Sequence, residues 1–169
     1  MRNCLIFIFA IVLFFSGEIN AQTNQQSIEK KVSHPEILRV SAYEAYSKYK
    51  EGKALIFHGG GQKYEKRHIL IAYNLDFDYE VMDKILVKFP KEGIEIFTYC
   101  YWGPEETGGA RVASYMIQKG FRNVKIVHGG STTSAGEELE KYFEYYRAGK
   151  IINPLTGKVT ILKQGKWRS

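Results

Sequence analysis

The chain has 169 residues, of which 44% are hydrophobic and 14% aromatic, enough for one domain with a sizeable core and too many for a disordered chain. The formal net charge is +6, but Lys and Arg are scattered without a dense basic stripe, which sets nucleic-acid binding aside. The four histidines and two cysteines have no ligand spacing, so neither a metal site nor a cofactor is expected.

The chain begins "MRNCLIFIFAIVLFFSGEINAQ". Arg2 supplies a positive start, and Cys4 to Phe15 form an apolar run too short to span a bilayer comfortably. Ile19-Asn20-Ala21 before Gln22 resembles a small-residue cleavage site. Residues 1–21 therefore read as a signal peptide. The mature protein is expected to be exported, periplasmic or extracellular, with no stable membrane span after cleavage. Arg2 and Glu18 leave together, so the net charge is kept. Residues 22–35 are a polar, flexible lead-in, residues 36–149 the folded domain, and residues 150–169 a hairpin-like extension.

From there strands and helices alternate. "EILRV" is a short strand. "SAYEAYSKYKEG" is a helix, with Ser41 and Glu44 at capping-box spacing and Gly52 as its stop. "ALIFH" (54–58) is a continuous apolar strand, and "HILIAYNL" (68–75) another. "YEVMDKILVKF" (79–89) has helical spacing and ends at Pro90. "IEIFTY" (94–99) is a β-branched and aromatic strand. "GGARVASYMIQKG" (108–120) is a helix, "NVKIV" (123–127) a strand, and "SAGEELEKYFEYYRAG" (134–149) a helix. Two strands around Pro-Leu-Thr-Gly close the chain. This order predicts an α/β fold: a central, mostly parallel sheet with helices on both faces. Ligands in such sheets sit beyond the carboxyl ends of the strands. His58, Cys100 and His128 each end a predicted strand.

Cys4 leaves with the signal, so Cys100 becomes the only thiol of a protein sent to an oxidising compartment. It is either reactive or buried and inert. Its place between a strand and a helix N-terminus favours reactivity, because loop amides and the helix dipole stabilise a thiolate. Gly103, Gly108 and Gly109 let the backbone fold over an anion. His58 is a candidate base if it approaches the thiol. Tyr101 and Trp102 either line the pocket or pack the loop onto the sheet. His68 reads as a hydrogen-bonded structural residue, and His128 as a turn residue before Gly129-Gly130.

Residues 37–148 resemble a single rhodanese domain. "SAYEAYSKYKEGKALIF" is similar to the family's opening helix and second strand. "YEKRHILIAYNLDF" resembles its Glu-Tyr, Gly-His-Ile, Asn segment, with Arg67 in place of the glycine. "FPKEGIEIFTYC" resembles the approach to the active-site cysteine, and "ARVASYMIQKGFRNVKIVHGG" the helix, strand and turn after it. The resemblance implies a rhodanese-like fold and a sulfurtransferase site. Cys100 would attack a sulfane sulfur donor, hold the sulfur as a persulfide and pass it to a thiol acceptor. The loop with Tyr101, Trp102, Gly103, Thr107, Gly108, Gly109 and Arg111 would cradle the anionic sulfur. A small sulfur donor or thiol acceptor is the implied partner, with a protein partner as a further possibility.

Three departures stand out. The loop is a few residues longer than usual. Glu105 and Glu106 put negative charge where the family often has positive, which would oppose anion binding unless both point away. His58 replaces the Asp of the usual Asp-x-Arg, with no arginine after it, so the family's buried ion pair near the loop is expected to be missing. A related Cys-to-Arg phosphatase loop would need arginine where Glu106 stands. Two alternatives stay open: a catalytically silent module that binds a partner or small anion, and a thiol redox sensor. Loop amides converging on Cys100 would favour the enzyme, and Glu105 or Glu106 filling the cradle would favour the module.

Overall fold

The computed structural model describes residues 34–61 and 64–162. The expected signal peptide and most of the lead-in lie outside them. Among the described residues no helix is long and apolar enough to cross a membrane.

Five strands make a parallel sheet in the order β1 (Arg39–Val40), β6 (Val124–Val127), β5 (Glu95–Tyr99), β2 (Ala54–Gly59) and β4 (Tyr73–Leu75). β2 and β5 are apolar on both sides because both sides are covered. On one side Phe57, Ile96 and Ile126 pack with Met82 and Leu86 of α2 (Tyr79–Leu86) and Val112 and Met116 of α3 (Thr107–Gln118). On the other, Ile56, Phe97 and Val127 pack with Ala45 of α1 (Ala42–Lys50) and Leu139 of α4 (Ala135–Leu139). This is the α/β architecture the alternation predicts.

Caps set the helix starts. Ser41 and Asp78 accept first-turn amides of α1 and α2, and Ser134 and Glu137 form a reciprocal capping box at α4. At α1 only half of the expected box forms. The Ser41 hydroxyl accepts from the Glu44 amide at 3.1 Å, while the Glu44 carboxylate faces Lys125 Nζ at 3.5 Å.

A second, antiparallel sheet runs in the order β3 (Arg67–Ile69), β7 (Tyr145–Arg147), β8 (Lys150–Ile152) and β9 (Val159–Ile161). It corrects two expectations. The run 68–75 is not one strand: a turn closed by the Ala72 amide on the Ile69 carbonyl (3.0 Å) sends β3 and β4 into different sheets. The segment 134–149 is not one helix either. Helix α4 stops at Leu139, and Tyr145–Arg147 turns back through Ala148 (φ 48°) and Gly149 (φ 83°). Two successive positive φ angles are the signature of a tight hairpin, so Gly149 is a turn residue and not a helix stop. The closing pair of strands forms as expected, joined to β7 across residue 149.

Candidate active site at Cys100

Cys100 follows β5 at its carboxyl end. Its carbonyl accepts the Gly136 amide at 3.1 Å, which ties it to α4. Its side chain faces α3: a Cβ added to Gly108 would lie 3.0 Å from the Cys100 Cβ and nearer still to the Gly59 carbonyl. A Cβ on Gly109 would lie 3.1 Å from the Tyr99 Cα. The two glycines therefore let the first turn of α3 rest directly on the ends of β2 and β5. That turn carries N–H groups without helical partners, at the positive end of a 12-residue helix. Such a site suits an anionic sulfur group. The thiol itself is fully buried.

The loop after Cys100 is fastened at both ends. Tyr101 turns to the side of the sheet opposite Cys100. Its hydroxyl donates to Glu140 Oε1 at 2.8 Å, the Arg67 guanidinium lies 4.7 Å over its ring, and Gly136 sits flat against it. Arg67 grips Glu140 with two bonds of 2.5 and 2.6 Å and reaches Glu137 at 3.3 Å. Burial pushes the Tyr101 hydroxyl pKa well up, and the bond to Glu140 raises that of Arg67. Tyr101 therefore holds the loop and does not line the Cys100 side.

The other fastening is Glu106. It stands before α3 with φ 55°, and its carboxylate is 1% exposed. It accepts from Arg39 Nε at 2.8 Å and from the Gly129 amide at 3.3 Å, and it pairs with His128 Nδ1. Arg39 also donates to the carbonyls of Ile37 (2.9 Å) and His34 (3.1 Å). The Glu106 charge is thus aimed at the ends of β1 and β6 and met by a cation. Where the sequence loses one ion pair near the loop, the fold has another. Glu105 folds back toward Gly103: a Cβ on Gly103 would lie 2.9 Å from its Oε2.

His58 does not approach Cys100. In β2 it pairs in register with Tyr99, so both point to the side of the sheet that Cys100 leaves. Its ring lies 5.0, 5.4 and 5.8 Å from those of Tyr99, Tyr64 and Tyr101. Nδ1 is 3.4 Å from Asn74 Oδ1, and the buried Nε2 has no hydrogen-bond partner among the described residues. Desolvation lowers its pKa to about 4, so it is a neutral packing residue.

Trp102 packs on Phe77, with ring centroids 5.4 Å apart. Arg111 lies 4.7 Å over the same Phe77 ring and donates to the Tyr79 hydroxyl at 3.2 and 3.3 Å. Trp102, Phe77, Arg111 and Tyr79 thus form one strip between α2 and α3. Thr107 is exposed, and Gly103 takes φ 62° in the loop. Among the described residues no group of three or more His, Cys, Asp or Glu is placed to hold a metal ion. Sequence reasoning missed Arg39 and the partnership of His128 with Glu106. Opposite charges 67 positions apart carry no local signal.

No family model and no curated protein matches the chain. Among solved structures it is similar to the BH2092 protein of Bacillus halodurans, with a TM-score of 0.51 and 20% identity over 65% of this chain and 77% of that one. The rhodanese-like domain of Alr3790 from an Anabaena species has a TM-score of 0.46 and 15% identity, over 78% and 91% of the two chains. EanB, solved with ergothioneine covalently linked to a persulfide cysteine, has a TM-score of 0.44 and 19% identity, over 54% of this chain but 24% of its own. The protein is an α/β protein built on a central parallel sheet flanked by helices. Its fold is rhodanese-like.

Proposed function

We propose that the protein is a sulfur carrier of the sulfurtransferase type, working through Cys100. The observation that carries this reading is the seat of the Cys100 side chain at the end of β5, against Gly108 in the glycine pair of the first turn of α3. The Cys100 thiolate attacks the outer sulfur of a sulfane donor. A sulfur–sulfur bond forms to Cys100 as the donor's own breaks, and the donor leaves as sulfite or a thiolate. An acceptor thiolate then attacks the outer persulfide sulfur, and Cys100 leaves as thiolate, so no net oxidant is needed. The ion pair between Arg39 and Glu106 supports the reading, because it takes the acidic side chain out of the cradle. Export through residues 1–21 belongs to the same proposal, and the acceptor thiol is then an external one.

Intact mass after incubation with thiosulfate or an organic persulfide tests the reaction. The expected result is one added sulfur atom, lost in Cys100→Ser. No adduct with either donor sinks the carrier reading. A mixed disulfide would instead carry the whole donor thiol and mark a redox sensor. Full burial of Cys100 favours one other reading, a silent module that binds a partner. That reading requires no adduct in the folded protein while the unfolded thiol still reacts.

A further inference from the structure

The second sheet carries a cavity of about 510 Å³ that sulfur transfer at Cys100 does not use. It is lined by Tyr64, Glu65, His68, Leu70 and Tyr146. Register places it. β3 pairs with β7 so that His68 stands beside Tyr146 on one face, while Arg67 and Arg147 stand together on the other. Tyr64 lies over the His68 ring at 3.9 Å and 10°, and the Tyr146 ring is 5.2 Å away at 29°. The imidazole is therefore held between two tyrosines. Its Nδ1–H donates to the Tyr64 carbonyl at 2.6 Å, which sets the tautomer and leaves Nε2 as an acceptor. Burial lowers the pKa of His68, which keeps that lone pair available at neutral pH.

The chemistry of the lining is one-sided. Glu65 is its one charged side chain among the described residues. Nε2 of His68 accepts, and the tyrosine faces are electron-rich. Arg67, the nearest arginine in the strand, is turned away and committed to Glu140 and Glu137. Leu70 and the body of Tyr146 add apolar wall. The volume falls within the range of small-molecule pockets.

We propose that this cavity binds a small organic cation, a protonated amine carried on a flat apolar body. The body lies against Tyr146 and Leu70, and the ammonium group donates to His68 Nε2 and faces the Glu65 carboxylate. The site stands apart from the reading of Cys100 and does not depend on it.

Calorimetric titration of the full chain with phenethylamine, phenethyl alcohol and phenylacetate tests this, with amide NMR shifts to locate the site. The expected result is that the amine binds at least roughly tenfold more tightly than the alcohol or the acid, with shifts at His68 and Tyr146. His68→Phe keeps the ring stack but removes Nε2, and Glu65→Gln removes an exposed charge. Each should weaken the amine by roughly tenfold. An unchanged unfolding midpoint in Glu65→Gln excludes misfolding as the cause. Equal binding of the three probes, no binding at millimolar amine, or full affinity in both variants overturns the proposal.

Discussion

Replacing Glu106 by glutamine should release the loop over Cys100. The shape is kept and the charge is removed from a carboxylate that is 1% exposed. Arg39 then loses its charged acceptor at 2.8 Å but keeps the carbonyls of Ile37 and His34. A hydrogen bond to a charged group contributes about 1.5–3 kcal/mol, and Arg39 keeps other partners, so about 2 kcal/mol is expected. The His128 contact adds little, because that side chain is 51% exposed. If loop opening precedes reaction of the buried thiol, about 2 kcal/mol becomes a labelling rate of Cys100 about 30-fold faster with an aromatic disulfide reagent. Urea unfolding should register the same loss. Arg39→Met is the stronger perturbation, because it strands a buried carboxylate, and should cost about 3–5 kcal/mol. A Glu106→Gln protein that loses stability yet labels within about twofold of the parent would refute the reasoning. The pair would then hold the fold and not the loop.

Three further outcomes follow from the same geometry. Gly108→Ala puts a methyl against the Gly59 carbonyl and 3.0 Å from the Cys100 Cβ. It should cost about 1–3 kcal/mol by thermal unfolding and abolish the sulfur adduct, whereas an intact adduct would break the link between helix seating and chemistry. The folded His58 pKa of about 4 lies below its ordinary 6.5, so between those values the unfolded chain holds a proton that the folded one refuses. Stability is therefore whole above the ordinary value and is lost as pH falls toward the folded one, with a ceiling of roughly 3 kcal/mol. His58→Gln should flatten that loss in urea unfolding at about pH 7 and about pH 4.5, and equal losses in both proteins would sink the assignment. Arg67→Lys gives up the two-bond grip on Glu140 and the stacking on Tyr101, and should cost about 2–3 kcal/mol. Urea unfolding showing a loss under about 0.5 kcal/mol would mean that the pair contributes little.

The parallel frame was legible because local signals carry it. β2 and β5 are short apolar runs, α1 and α4 begin on serines with a glutamate three positions on, and Cys100 falls between a strand and two glycines. What was not legible depends on pairing. The run from Ile69 to Tyr73 has no glycine, proline or charge, so nothing in it marks the break at Ala72 that sends the two halves of 68–75 into separate sheets. The segment 134–149 holds no proline, and its glycines stand only near its two ends, at 136 and 149, so it reads as helix until Tyr145 and Tyr146 find partners in β3 and β8. The facing of His58 needs only the register of β2 against β5, which no single sequence supplies. The ion pair of Arg39 with Glu106 joins positions that only the finished sheet brings together.

Alternation at the end of β5 divides the labour of the site. Tyr99 and Tyr101 point to one side, where their rings pack with His58 and Tyr101 bonds to the Glu140 that Arg67 grips. Cys100, between them, points to the other, where α3 begins. The residue that ends the strand can therefore carry chemistry while its neighbours carry the load of holding it. The same division fixes the loop at two points. Tyr101 and Glu106 are both fastened by buried charges, and the half-buried segment Trp102–Glu105 lies between them. Trp102 rests on Phe77, which Arg111 also covers, so the segment between the two anchors is seated on the strip between α2 and α3.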